Sequence, residues 1–208
     1  MIDFIGHIRR ARAAFTLMEV NLAIFIMAVG VLAMTSLYPL GFRESEQSRD
    51  DVEAAVVADE VLGQLTAALS SREIEWSRWV SGISTAVDKT QDGWLAYAES
   101  YTAAGGKTEY KVKSKNAVNA KANEVFTALA GVGGGNPRVS FDSKYAYGLV
   151  VQWGKRVVAT GSKTSEAIND FSRVSISFRM ARRPGALMSA PIYYTEVHFQ
   201  GDQKDMEQ

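Results

Sequence analysis

Glu19 is the one charged residue between Arg12 and Arg43. A carboxylate inside so apolar a run costs roughly 2.5–3.5 kcal/mol near the centre of a bilayer, so one placed here needs a reason. Other residues with chemical potential are sparse. The chain has no cysteine, hence no disulfide and no thiolate site. His7 lies ahead of the apolar run, and His198 falls in an expected strand. There it reads as a polar residue beside Glu196, because no acid–base partner is in sight. Asp88 and Asp92 could hold calcium, but without an EF-hand spacing they read as solvated turn carboxylates. Gly131 to Gly135 lacks the Gly-Lys-Ser/Thr ending of a phosphate loop and reads as a flexible connection. The expectation is a chain with no catalytic residues, no cofactor and no metal site.

Lys111, Lys113 and Lys115 alternate along an expected strand, and Lys155, Arg156, Arg173, Arg179, Arg182 and Arg183 lie near others. Gathered on one face beside Tyr145 or Tyr147, they could hold nucleic-acid phosphates. Alternating lysines on an edge strand also keep edges from pairing, and that reading is preferred. Basic and acidic residues balance at 23 each; beyond the first fourteen residues the count is 20 to 22. Nothing in that balance draws the chain towards nucleic acid. Trp76 and Trp79, three residues apart, mark either a contact patch or packing over a sheet or at a membrane interface.

Glu19 must be positioned by the segment around it. A helix from Phe15 to Phe42 would rise about 1.5 Å per residue, roughly 40 Å in all, against a hydrocarbon core of about 30 Å. Arg9, Arg10 and Arg12 precede it, whereas acidic and basic residues mix beyond it. This bias favours an N-terminus in the cytoplasm and a C-terminal part outside. A secretory signal would carry its small-residue cleavage site after the apolar stretch; here Ala13 and Ala14 come before it. Pro39 and Gly41 interrupt the pattern near the outer boundary, as a kink or as a break between two helices, with the kink preferred.

From Glu44 to Ser70, Val57, Val61, Leu65 and Leu69 recur every fourth residue, with Val56, Ala58, Leu62 and Ala68 widening the stripe, which predicts an amphipathic helix laid on a sheet. Trp94 to Tyr101, Gly105-Gly106 and Tyr110 to Val112 predict a hairpin. Ala117 to Ala130 reads as a short helix whose apolar edge is Val118, Ala122, Phe126 and Leu129, followed by a loop from Gly131 to Pro137. Strands are expected at Tyr145 to Thr160, bent near Gly154-Lys155, at Phe171 to Ala181 and at Ile192 to Gln200. In the second, Val174, Ile176, Phe178 and Met180 oppose Arg173, Ser175, Ser177 and Arg179, predicting one buried and one wet face.

The run Ala14-Phe15-Thr16-Leu17-Met18-Glu19, after a basic leader and before the apolar helix, resembles the prepilin-peptidase site of type IV pilins and pseudopilins. Alanine stands where that family usually has glycine before the cut. The resemblance covers about the first thirty residues. It implies an α+β pilin-like fold in three parts: a leader at residues 1–14, a transmembrane and assembly helix at 15–42, and an exported domain at 43–208. It further implies cleavage between Ala14 and Phe15, N-methylation of Phe15, and a Glu19 that neutralises a neighbouring subunit's terminal amine, the alternative for Glu19 being a carboxylate at the headgroup boundary. Pro39 would be the helix kink. The partners implied are a prepilin peptidase, other pilin or pseudopilin subunits, an inner-membrane assembly platform and lipid. The location implied is the bacterial inner membrane and then a pilus, pseudopilus or cell surface. The absence of a disulfide-bounded loop leans towards a minor pilin or pseudopilin. The alternative expectation is a membrane-anchored exported module that binds a ligand or DNA and does not polymerise.

Overall fold

The computed structural model describes residues 16–134, 142, 144–159 and 165–201. It is an α+β chain with a long N-terminal helix, apolar in its first half, and a C-terminal antiparallel sheet. Its contacts divide it into two units, one ending at Ser48 and the other starting at Arg49.

Helix α1 runs from Leu17 to Leu69 and includes Pro39. Proline has no N–H for the carbonyl of Thr35 and disfavours the preceding turn, so this is the weakest point of the helical ladder. In the second unit α1 buries Ala54, Ala58, Val61, Leu62, Leu65 and Leu69, the three-and-four spacing of a helix lying on a core. Val57 is half-buried, but Val56, expected to widen the stripe, faces solvent. Full burial of Val61, Leu65 and Leu69 contributes roughly 1.5–3 kcal/mol each.

Helix α2, Trp76 to Lys89, was not anticipated from the sequence; it buries Trp79, Ile83 and Ala86, again at helical spacing. Both tryptophans are packing residues. Trp79 is fully buried, and Trp76 stacks edge-on against Phe199 at 5.0 Å between ring centres. A 3-10 segment, Gly93 to Tyr97, replaces the first half of the expected strand. The hairpin itself is β1, Ala98 to Thr102, paired antiparallel with β2, Thr108 to Val112. Gly105 and Gly106 turn it with φ of 102° and 75°, a region L-residues rarely enter.

Helix α3, Lys115 to Val132, extends the expected helix at both ends, taking in Gly131 from the expected loop. Residues 135–137 of that loop lie outside the described residues. At its end Gly133 passes against the backbone of Ala68 on α1, where a Cβ would collide with the carbonyl. Valine at Gly133 is therefore expected to lower stability by about 1–3 kcal/mol through overpacking. Thermal denaturation of the full chain in detergent, followed by circular dichroism, reads this directly.

Strands β3, Ala146 to Ala159, β4, Ser165 to Ala181, and β5, Tyr193 to His198, form an antiparallel sheet in the order β3-β4-β5. Tyr147, Leu149, Val151 and Trp153 share one face with Val174, Ile176, Phe178 and Met180, and all are buried. The opposite face is only partly wet, contrary to expectation. Ala146 and Val150 are buried there, Gly148 lies under Trp94 and Leu187, and the Arg179 guanidinium sits 4.3 Å from the Trp94 ring centre. The expected bend is a β-bulge at Trp153/Gly154. It is pinned from outside: the Trp79 indole N–H donates to the Phe171 carbonyl at 2.8 Å, and Asp170 accepts the Ser172 N–H and hydroxyl. Those Ser172 bonds hold the Asp170 carboxyl below its ordinary pKa.

The outer edge of β3 is closed by side chains. The Asn119 amide donates to the Tyr145 carbonyl (2.8 Å) and accepts the Tyr147 N–H (2.9 Å). The Tyr97 hydroxyl donates to the Leu149 carbonyl (2.6 Å) and accepts the Leu149 N–H (2.8 Å). The Thr90 hydroxyl accepts the Val151 N–H (3.1 Å), and its proton serves the Val151 or the Ala86 carbonyl. Three side chains thus repeat at the two-residue period of the strand and stand in for a fourth strand. An open edge is a template for another chain's backbone, and from Tyr145 to Val151 it is covered.

Candidate functional site

Two of the residues singled out by the leader motif, Ala14 and Phe15, lie outside the described residues, as do Arg9, Arg10, Arg12 and His7. Glu19 and Pro39 both lie on α1, twenty residues apart and not brought together. What the structure adds is the setting of Glu19. The Thr16 N–H and hydroxyl donate to Glu19 Oε2 at 2.8 and 3.0 Å, while the Glu19 N–H reaches the Thr16 hydroxyl oxygen at 3.3 Å. This reciprocal pairing is a capping box, in which a Thr ahead of the helix and a Glu three residues later satisfy otherwise orphaned N–H groups. Glu19 also lies in the first turn, where the helix dipole favours an anion. Thr16 was not anticipated as a site residue, although the spacing Thr-x-x-Glu was there to be read.

Behind this cap the helix offers an apolar surface on every side. Leu17, Met18, Leu22, Phe25, Met27, Leu32 and Met34 are all more than half exposed, as are Leu37, Tyr38 and Phe42. Monomeric soluble proteins rarely expose contiguous apolar patches beyond a few hundred Å², so this face is built to be covered. The helix is long and apolar enough to cross a membrane, with an 18-residue window of mean hydropathy 2.2 and none of it buried in the chain. Thr35 and Ser36 return their hydroxyl protons to the carbonyls of Val31 and Ala33, which removes two polar groups from that surface.

No family model, curated protein or solved structure matches the chain.

The other candidate residues do not assemble into a reaction centre among the described residues. His198 and Glu196 both lie on β5 with exposed side chains, and Glu196 pairs instead with the Arg173 guanidinium at 2.9 Å. Asp88 is an exposed residue of α2, and Asp92 precedes the 3-10 segment. No three His, Asp or Glu side chains gather as metal ligands among the described residues. Lys111 lies in β2, Lys113 just beyond it with its ammonium on the Ala96 carbonyl, and Lys115 opens α3; they do not alternate along one strand as expected. The Arg156 and Arg173 region belongs to the β3-β4 hairpin, and the Arg173 guanidinium also donates to the Lys155 carbonyl. Arg182 faces Asp50. The Tyr145 hydroxyl donates to Glu53, which pushes its pKa up to about 12, and burial pushes Tyr147 to about 12.

Proposed function

We propose that this chain is a type IV pilin-like subunit, a minor pilin or pseudopilin of a type IV pilus or type II secretion pseudopilus. It is processed between Ala14 and Phe15 and assembled through its N-terminal helix. The observation that carries the reading is the pairing of an all-round exposed apolar helix with a carboxylate in its first turn. Once the leader is removed, the α-amine of Phe15 is a cation within one helical turn of Glu19. Sheltered among apolar helices, that carboxylate and a neighbouring copy's amine offset each other's desolvation and set axial register. The capping box holds the same carboxylate at the helix start before a neighbour arrives. Lipid covers the apolar face of the free subunit, and other subunits cover it in the filament. A prepilin peptidase and an inner-membrane assembly platform are the partners this requires, with the C-terminal unit outside. The mass of the N-terminal peptide, taken from the chain in its own membrane, tests the reading.

A further inference from the structure

The two lateral edges of the sheet are unlike. Side chains close the β3 edge as far as Val151, whereas β5 ends the sheet on the other side. Ladder alternation turns the backbone groups of Tyr194 and Glu196 outward there, and among the described residues no side chain hydrogen-bonds to them. Beside β5 runs a groove of about 740 Å³, within the size range of binding clefts. Small residues of α1 (Ala55, Gly63, Ala67) wall one side, and Tyr193 to Thr195 wall the other. Asp59 lines it, in a stretch of α1 from Arg49 to Glu60 that carries five acidic residues and one basic.

The opposite edge presents the complement. From Lys107 to Lys121 the chain has five lysines and one acidic residue, on the β1–β2 hairpin and the start of α3. This is the side of the β3 seal, since Asn119 of α3 and Tyr97, next to the hairpin, both reach β3. Lys107 and Lys111 are exposed, and β1 and β2 are exposed on both faces. The hairpin leans on the 3-10 turns Gly93–Tyr97 and Pro184–Ala186, and most of its side chains stay exposed. Among the described residues, Asp59, Lys107 and Lys111 have no ion-pair partner.

We infer that the lysine-bearing hairpin of one copy docks into the α1–β5 groove of a second copy. This deepens, and rests on, the reading of the chain as a self-assembling subunit. Acidic and basic surfaces on opposite edges cannot meet within one molecule. Between copies they make a head-to-tail contact, which propagates rather than closing as a two-fold dimer would. Charge complementarity sets partner choice and register, while the small residues of α1 let the hairpin approach closely.

The chain has no native cysteine, so engineered ones report cleanly. Full-length chain carrying Asp59→Cys with Lys111→Cys is oxidised mildly in its own membrane. A ladder of dimers, trimers and larger species is expected, with about tenfold less product from either single variant and only dimers when the two single variants are mixed. Adding Lys107→Glu with Lys115→Glu should reduce the ladder about fivefold, and further adding Asp51→Lys with Glu60→Lys should restore it, showing that the fold survived the changes. The N-terminus is read in the same sample. Absence of a ladder from chain processed at Phe15 overturns the docking while leaving the filament reading in place. A ladder indifferent to charge reversal overturns it too. So does a lysine-dependent complex with a single-stranded oligonucleotide in place of the ladder.

Discussion

Glu19→Ala is expected to deplete the chain from the assembled fraction about tenfold or more, while the leader is still removed at the same bond. Two losses are combined in that variant, and they separate. Removing half of the capping box costs about 0.5–2 kcal/mol of local helix stability. That penalty falls at the start of a helix whose core-forming residues begin at Ala54, so the C-terminal unit keeps its fold. On the proposed reading the larger loss is the counter-charge for a neighbour's amine, because an unpaired buried charge costs about 3–5 kcal/mol. Thr16→Val distinguishes the two. It removes the hydroxyl that donates to Glu19 and accepts its N–H, but leaves the carboxylate. If trans neutralisation is what matters, this variant assembles within about twofold of the parent chain. If capping alone matters, both variants fail alike. The comparison is read by sedimenting filaments from sheared cells and quantifying the chain in each fraction.

The largest stability effect outside the helix is expected at Tyr97. Tyr97→Phe keeps the ring and removes one oxygen, leaving the N–H and C=O of Leu149 buried without partners. The cost is about 2–4 kcal/mol, against 1 kcal/mol or less for a hydroxyl removed at the surface. For a chain of this length that lowers the thermal midpoint by roughly 5–15 °C. Burial pushes the Tyr97 pKa far above its ordinary value, so the hydroxyl remains a proton donor throughout the working pH range. Thr90→Val should destabilise in the same way, since it leaves the Val151 N–H without a partner and removes the hydroxyl contact to the Ala86 carbonyl at the end of α2. Melting of the full chain in detergent measures both; a Tyr97→Phe midpoint within a degree of the parent chain would show the edge seal to be idle.

Much of this architecture can be read from local pattern. Val61, Leu65 and Leu69 declare a buried helix face, and Val174 to Met180 declare a strand with one face inward. In both cases the period of the apolar residues is the period of the element. Helix α2 escaped notice because its apolar positions include two tryptophans among serines and charged residues, and isolated tryptophans suit an exposed patch as well as a core. Gly93 to Tyr97 reads as a strand because Leu95 and Tyr97 stand two residues apart, whereas in the 3-10 turn Leu95 is exposed and Tyr97 is fully buried. The seal on β3 was not legible at all. Thr90, Tyr97 and Asn119 meet their partners from 26 to 61 residues away, and no local period records such pairings. The cap at Glu19 is legible in the spacing Thr16-x-x-Glu19, whereas trans pairing of that carboxylate is implied only by the resemblance to pilins.

The intact mass and N-terminal sequence of the chain isolated from its native membrane decide whether it is processed as a pilin-like subunit. A terminus at methylated Phe15 is the result predicted by a pilin-like subunit whose Glu19 awaits a neighbour's amine. A chain still beginning at Met1, with Ala14 joined to Phe15, would contradict it and leave a tethered binding module in its place.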